Sequence, residues 1–563
     1  MKQINSTSVE ALPKADRWIA GGLVAGFLLL YLLTQLQVHS ELSDAMAFAS
    51  YIERGRLSEL FHGSHLIYLW LMNLLHQLAL LVVPGIESNI TTQGFDSLIG
   101  ALGVGTFYLI GRSFMRNQRL TILLSVIMGC SYHYWLYASD VETWGPAILF
   151  SLLTLLTVLR LPPKPSIWHF VLLAILTALT ILFHIVGGMV GLVVIAMLLW
   201  DDVPERLSVR IAPRRLGELA LYFVVTAGCV IVPYILVITQ VRHMRTASEA
   251  FYFVAQFAES GAFETTGSRG VLTAIKLAPI GIGRAYIGQL SWFGVPGLNG
   301  ILTELLAGKC LFEEFYAIRT LSPALATVLT GAGVMASVLL GILTIISIPG
   351  LVRAVRGLPR AARGILLWLI LYGLFILWFE SSNPEHWAAF WLPVFYLAVG
   401  LGLDHMESRS SLSEVLAVLM TACLLATNLG NILIQTDPAN DIFRQRLSWY
   451  QENTTSQDLL IASGGFGWTD YVRYYLTTPA LMLDTVFAGR DYPAACQVIQ
   501  NAIEATRGQG GRVFVMQDAL EPEPCRAEQF GWDLSLFERF RQDITPRLDC
   551  SEHEGILICE VVR

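Results

Sequence analysis

Charge is what this chain has least of. Only 14% of its 563 residues are Asp, Glu, Lys or Arg, against 54% hydrophobic residues, and the mean hydropathy is +0.56. A globular surface must stay wet, so a soluble protein is excluded and the composition is that of a polytopic membrane protein. A basic block is also missing. The 37 Lys and Arg are outnumbered by 44 Asp and Glu, for a net charge of −7, which argues against a nucleic-acid partner. No repeat of fixed period and no low-complexity tract occurs, which excludes solenoids, propellers and disordered arrays. Finally, no small-residue cleavage site follows the first apolar run, because Thr34-Gln-Leu-Gln-Val-His39 is bulky and polar. With Lys2, Lys14 and Arg17 ahead of it, that run reads as an uncleaved signal-anchor with its N-terminus in the cytoplasm.

Runs of roughly 15–25 mainly apolar residues predict about eleven spans. They lie at Trp18–Leu36, Phe95–Gly111, Arg119–Leu136, Gly145–Leu159, Ile167–Phe183 and Val186–Trp200. The others lie at Leu216–Thr239, Pro323–Ile348, Gly364–Phe379, Trp387–Leu403 and Leu412–Ile434. Arginine clusters such as Arg112/Arg116/Arg119, Arg206/Arg210/Arg214/Arg215 and Arg353/Arg356/Arg360/Arg363 then all fall on the cytoplasmic side. The outer turns at Tyr132–Trp144, His184 and Glu380–His386 hold no Lys or Arg, which fixes the expected orientation.

The run His65–Val83 is long enough to span, but counting it would carry Arg112, Arg116 and Arg119 outside. Its polar residues suit a helix lying at the interface, inside an outer loop covering residues 39–94. A second outer loop, 240–322, contains amphipathic stretches such as Val271–Leu290.

The expected domains are therefore a transmembrane part, 1–435, and an extracytoplasmic α/β domain, 436–563. In the latter, strands are expected at Leu459–Ala462, Ala480–Asp484, Arg512–Met516 and Gly555–Val562. Helices are expected at Trp468–Leu476 and Ala494–Thr506. The domain's Cys496, Cys525, Cys550 and Cys559 lack zinc-ligand spacing and allow up to two disulfides in three connectivities.

Two acidic pairs stand at the outer membrane surface, where ionised carboxylates are costly to hold. Glu41 and Asp44 follow the first span, and Asp140 and Glu142 open the Gly145 span inside the aromatic stretch Tyr132–Trp144, which includes Tyr137. The plain alternatives are helix capping for the first pair and a solvated turn in an aromatic belt for the second. His184 interrupts an apolar stretch, and Glu385 and His386 sit in another outer turn, so each could line a polar mouth or simply complete a turn. Gly464-Gly-Phe-Gly467 lacks dinucleotide spacing and reads as a tight turn.

Three pieces together resemble the C-type membrane glycosyltransferases, the superfamily of protein O-mannosyltransferases and aminoarabinose transferases. Asp44-Ala-Met-Ala-Phe-Ala-Ser-Tyr-Ile-Glu-Arg-Gly55 is similar to their first-outer-loop pattern. Phe61-His-Gly-Ser-His-Leu-Ile-Tyr68 resembles, without its prolines, the His-Pro-Pro-Leu element that starts a juxtamembrane helix and supplies His65. Trp135-Leu-Tyr-Ala-Ser-Asp-Val-Glu-Thr-Trp144 resembles the segment opening a later span, with Glu142 as its acid.

The resemblance implies a polyprenyl-phosphate sugar donor and a lipid, glycan or protein acceptor reached from outside. Asp44 would be the general base, with Glu142 or Glu41 as its partner. The implied substrate contacts are Asp140, His65, Tyr137, His184, Glu385 and His386, with Arg242, Arg245, Arg269, Lys276 and Arg284 available for phosphate. No organic cofactor is expected; Glu41 and Asp44 could instead hold a divalent cation. A bacterial inner membrane is the expected location. Two rivals stay open: a ligase- or polymerase-like transferase centred on outer-loop arginines, and a lipid or sugar transporter, which lacks the expected inverted repeat.

Overall fold

The structure, a computed structural model, describes residues 13–39, 43–162, 164–199, 213–257, 270–298, 300–301, 321–357, 359–406, 411–465, 467–522, 524, 527, 531–553 and 555–562. The chain divides into two compact units. One comprises Met1–Leu36, Tyr51–Gln289 and Thr327–Leu433; the other comprises Gln37–Ser50, Leu290–Ala326 and Ile434–Arg563.

The first unit is helical; the apolar runs fall in helical segments, though not always in a single helix. Among the described residues, seven helices are long and apolar enough to cross a membrane: Lys14–Leu33 (α1), Ser88–Arg112, Leu216–Val241, Pro323–Arg356, Ala361–Phe379, Pro384–Asp404 and Leu412–Gln435. The protein is an integral membrane protein. Of the remaining helices, α2 (Ser43–Arg54) carries Asp44 and α3 (Tyr68–Val82) occupies the run His65–Val83. Next, α4 (Ser88–Arg112) is followed by α5 (Gln118–Cys130), α6 (Tyr132–Ser139), α7 (Trp144–Leu159) and α8 (Ile167–Phe183).

The expected span Arg119–Leu136 is broken into α5 and α6, bent by 63°. The break falls at Ser131, whose extended backbone (ψ 136°) interrupts the helical hydrogen-bond ladder. Counted as one span, the pair makes eight; α3, α7, α8 and Ile185–Leu199 are shorter apolar helices.

Two features join α1 to α4. Asp16 Oδ1 accepts from Tyr108 Oη at 2.6 Å, Arg112 Nε at 3.0 Å and Gln118 Nε2 at 3.0 Å. A Cβ on Gly105 would lie 2.6 Å from Val24 Cγ2, so only glycine lets these helices approach as they do. Small residues act the same way where α4 meets α6, since a Cβ on Gly100 would lie 2.5 Å from Ala138 Cβ.

The second unit holds a five-stranded sheet of order β2-β1-β3-β5-β4. Its strands are β1 Leu459–Ala462, β2 Ala480–Met482, β3 Val513–Met516, β4 Leu548–His553 and β5 Ile556–Val561. β1 pairs in parallel with β2 and β3, while β5 runs antiparallel to β3 and β4. Strand side chains alternate between faces. Leu459, Ile461, Val513 and Val515 pack with Ile499, Ile503, Phe537 and Phe540 on one face. Leu460, Ala462, Phe514 and Met516 pack with Leu447, Tyr450, Trp468 and Tyr471 on the other.

Met46 and Ala49 of α2, three residues apart and so on one helix face, join this second core. The backbone amides of Gln37 and Val38 donate to the Gln435 carbonyl at 2.8 and 3.0 Å. Cys550 and Cys559, opposite each other in the β4–β5 register, form a disulfide. Cys496 is a free thiol, and Cys525 lies outside the described residues.

Candidate functional site

Three carboxylates gather in the first unit between the end of α6 and the start of α7. Asp140 ends α6 in an extended conformation, and Glu142 follows two residues later. Asp96 reaches them from α4. All three are essentially inaccessible, at 0%, 1% and 0% exposure for Asp140, Glu142 and Asp96. Burying a carboxylate is costly unless donors surround it, and here the donors are specific. Asp96 Oδ2 accepts from Tyr68 Oη at 2.7 Å and from the Glu142 amide at 3.3 Å. Asp140 Oδ1 accepts from the Val141 amide at 2.8 Å and Gln93 Nε2 at 3.5 Å. Glu142 Oε2 accepts from the Thr143 amide at 2.7 Å. Burial first, and then the Asp96 charge, push the Tyr68 hydroxyl well above its ordinary pKa, so it remains a donor.

A second group in the same unit collects histidines around Trp144. His184 stacks on Trp144 with ring centres 3.8 Å apart, and His386 meets the same indole edge-on at 5.3 Å. Tyr137 stacks against the same Trp144 ring with centres 6.4 Å apart. The loop before α3 brings His65, stacked on His62 at 4.3 Å, with Ser64 Oγ within 2.8 and 2.9 Å of the Nδ1 atoms of His62 and His65. This loop is tied to the end of α8, where the Ile185 amide donates to the Ser64 carbonyl at 2.7 Å.

Burial, with Arg242 adding, lowers the His62 pKa to about 4. Burial and neighbouring imidazoles hold His65 and His184 well below the usual range. These rings are neutral at pH 7 and can donate or accept, but they carry no charge. The nearby cation is Arg242, whose Nη2 donates to the Phe61 carbonyl at 2.8 Å while its guanidinium lies over the Phe253 ring at 5.4 Å.

In the second unit, Asp44 sits in the first turn of α2, ahead of buried Ala45, Met46, Ala47 and Phe48. Its side chain is half-buried. Desolvation first, and then the charge of Asp470, raise its pKa to about 6. Asp470 itself is buried, in the helix Trp468–Tyr475 that packs beside Met46 and Ala49.

The other expected residues are dispersed. Arg245 is exposed, and its backbone amide donates to Glu249. Arg284 is half-buried on the helix Gly270–Tyr286, and its carbonyl accepts from His133 Nδ1 at 2.9 Å. Lys276 is exposed on the same helix. The Glu385 amide donates to Asn383 Oδ1 at 2.9 Å, the turn its sequence suggests. Glu41 and Arg269 lie outside the described residues. Among the described residues, no three His, Cys, Asp or Glu side chains are arranged to hold a metal ion.

Sequence reasoning missed Asp96, Tyr68, Gln93, His62 and Asp470 as members of these groups. Asp96 carried a usable signal, since an ionisable residue one position inside an apolar run marks a functional candidate by default.

No protein-family model and no curated protein matches the sequence. Solved structures do match. ArnT from Cupriavidus metallidurans, bound to undecaprenyl phosphate, is similar over 97% of this chain and 98% of its own, with 14% identity and a TM-score of 0.56. The oligosaccharyltransferase of Archaeoglobus fulgidus, in complex with zinc and sulfate, is similar over 91% of this chain and 71% of its own, with 11% identity and a TM-score of 0.51. The chain shares its fold with these two structures. At such identities the likeness is one of fold. The chain's own geometry offers three groups of candidate residues: a carboxylate trio, a histidine–arginine group and the Asp44–Asp470 pair.

Proposed function

We propose that the protein is a glycosyltransferase that moves a sugar from a polyprenyl-phosphate donor to an acceptor on the extracytoplasmic face. The fold supports the reaction class, and a structure of the same fold binds undecaprenyl phosphate. The observation that carries the mechanism is Asp44, whose carboxyl pKa is raised to about 6 by desolvation and by Asp470. A base works best when its pKa lies near the working pH.

In the proposed step the acceptor hydroxyl or amine gives its proton to the Asp44 carboxylate. The freed electron pair bonds to the anomeric carbon, the bond from that carbon to the phosphate oxygen breaks, and polyprenyl phosphate leaves with the electrons. Glu142, Asp140 and Asp96, within the first unit, are assigned to sugar or acceptor hydroxyls. Arg242 and the neutral rings of His65 and His184 steady the departing phosphate. The same reading keeps the N-terminus cytoplasmic and the Thr436–Arg563 region outside, in a bacterial inner membrane.

The test is transfer of radiolabelled sugar from a polyprenyl phosphate by the purified protein in nanodiscs. Asp44→Asn should abolish most transfer, and Glu142→Gln should slow it. Full activity in Asp44→Asn, with loss in Arg242 or Arg284 variants, would overturn the assignment in favour of an arginine-centred transferase.

A further inference from the structure

The parallel part of the sheet is wound in two directions. From β1 the chain passes through the helix Trp468–Tyr475 to β2 on one side. From β2 it returns through the helix Tyr492–Gly508 to β3 on the other side of β1. These two helices pack on opposite faces, Trp468 and Tyr471 on one and Ile499 and Ile503 on the other. The strand order therefore reverses between β1 and β3, and in open α/β sheets ligands enter the crevice outside the carboxyl ends at such a point.

The carboxyl ends here are built for close approach. After β1, Gly464, Gly465 and Gly467 all have positive φ, at 96°, 93° and 79°, and a Cβ on Gly464 would overlap the Asp484 carboxyl. After β3, Asp518 reaches back across the reversal. Its Oδ2 accepts from the Ser463 amide at 2.8 Å, from Trp468 Nε1 at 2.9 Å and from the Ser463 hydroxyl. All three donors meet Oδ2, so the carboxylate is held in one orientation, and among the described residues no hydrogen bond goes to Oδ1. A cavity of about 230 Å³ lies there, lined among others by Arg446, Trp468, Gln517, Asp518, Glu521 and Leu557.

We infer that this crevice is a binding site for a single sugar ring. Its size is below the roughly 300–1,000 Å³ of pockets for drug-sized ligands, and its lining sets two acids, Asp518 and Glu521, beside one cation, Arg446. A simple anion or a simple amine would each be attracted by one sign and repelled by the other. A neutral ring bearing hydroxyls satisfies both, donating to Asp518 Oδ1 and Glu521 and accepting from Arg446, while Gln517 can do either. The apolar wall at Leu557 suits the C–H face of a pyranose. Resting on the transferase reading, the site holds a sugar of a glycan or glycolipid acceptor in the second unit; the binding itself does not depend on that reading.

The experiment is saturation-transfer NMR on the full chain in nanodiscs, with no lipid-linked donor present. The probes are the methyl glycosides of glucose, galactose and mannose, and N-acetylglucosamine, with inorganic phosphate and methylamine as charged comparisons. At least one glycoside should bind, and its affinity should fall at least tenfold in both Asp518→Asn and Arg446→Gln. Asparagine can keep an acceptor toward Ser463 and Trp468 while presenting a donor to the cavity. Glu521 is exposed at the rim, so Glu521→Gln keeps the test decisive if Asp518→Asn lowers the thermal midpoint. No glycoside binding, binding unchanged in these variants, or binding of phosphate or methylamine instead would overturn the inference. Because no transfer is measured, an inactive transferase would leave the result standing.

Discussion

The phenol of Tyr68 donates a 2.7 Å hydrogen bond to Asp96 Oδ2, joining the first turn of α3 to a carboxylate inside α4. Among the described residues Asp96 Oδ1 has no hydrogen-bond partner, so this phenol is a principal donor to a fully buried acid. Tyr68→Phe should destabilise the protein by about 1–3 kcal/mol, the cost of leaving a buried acceptor short of its donor, seen as a lower thermal midpoint. Asp96→Asn keeps the shape and relieves crowding with Asp140 and Glu142. It should leave the midpoint nearly unchanged while lowering transfer by roughly tenfold or more, the worth of one lost hydrogen bond of about 1.4 kcal/mol. Equal activity in Asp96→Asn would leave that residue a purely structural part.

Asp44 makes two pH-dependent expectations. As a base it must be ionised, so the rate should rise tenfold per unit below about pH 6 and level off above it. Asp470→Asn removes a neighbouring negative charge and should shift that limb toward lower pH. Asp44→Asn should cost a factor of roughly 10²–10⁴ in rate. Stability moves the other way. The folded carboxyl keeps its proton to higher pH than the unfolded one, so stability declines between about pH 4 and 6 as the buried group is forced to ionise. Asp44→Asn should therefore raise the thermal midpoint at pH 7 and leave it unchanged at pH 4.

The histidine group has the opposite sign. His62, His65 and His184 have pKa values below that of an exposed imidazole. The unfolded chain therefore takes up protons first as pH falls through about 6.5. Thermal midpoints in nanodiscs should drop steadily from pH 7 to pH 4, and His62→Gln should flatten the drop. A midpoint independent of pH over that window would contradict burial of these rings.

Orientation can be read directly. A reporter active only in the cytoplasm, fused after Arg563, should be silent if, as their charge predicts, the short arginine-rich connections face the cytoplasm. Strong reporter activity would overturn the assignment of sides.

Much of the helical part was legible because hydropathy is a local property: the apolar runs became helical segments, although Arg119–Leu136 became two. The bend at Ser131 was not, since nothing in Gly129-Cys-Ser-Tyr132 announces an extended residue. Asp140 and Glu142 stood out as acids beside a span, whereas Asp96 was absorbed into the run that begins at Phe95. Strand β1 was legible from four consecutive apolar residues; β4 was not, because five of its six residues are exposed and show no alternation. Least legible was the packing of Met46 and Ala49 beside Trp468 and Tyr471, a contact across more than four hundred residues that no local pattern encodes.

That last packing bears on how the protein could be recombined. Cut at the composition change near Thr436, a transplanted C-terminal segment would leave behind the strip from Gln37 to Ser50 that completes one face of its core. A host protein would supply a foreign strip in its place. A chimera that respects the molecule's own seams therefore exchanges three stretches together, Gln37–Ser50, Leu290–Ala326 and Ile434–Arg563, and the residue it cannot help moving with them is Asp44.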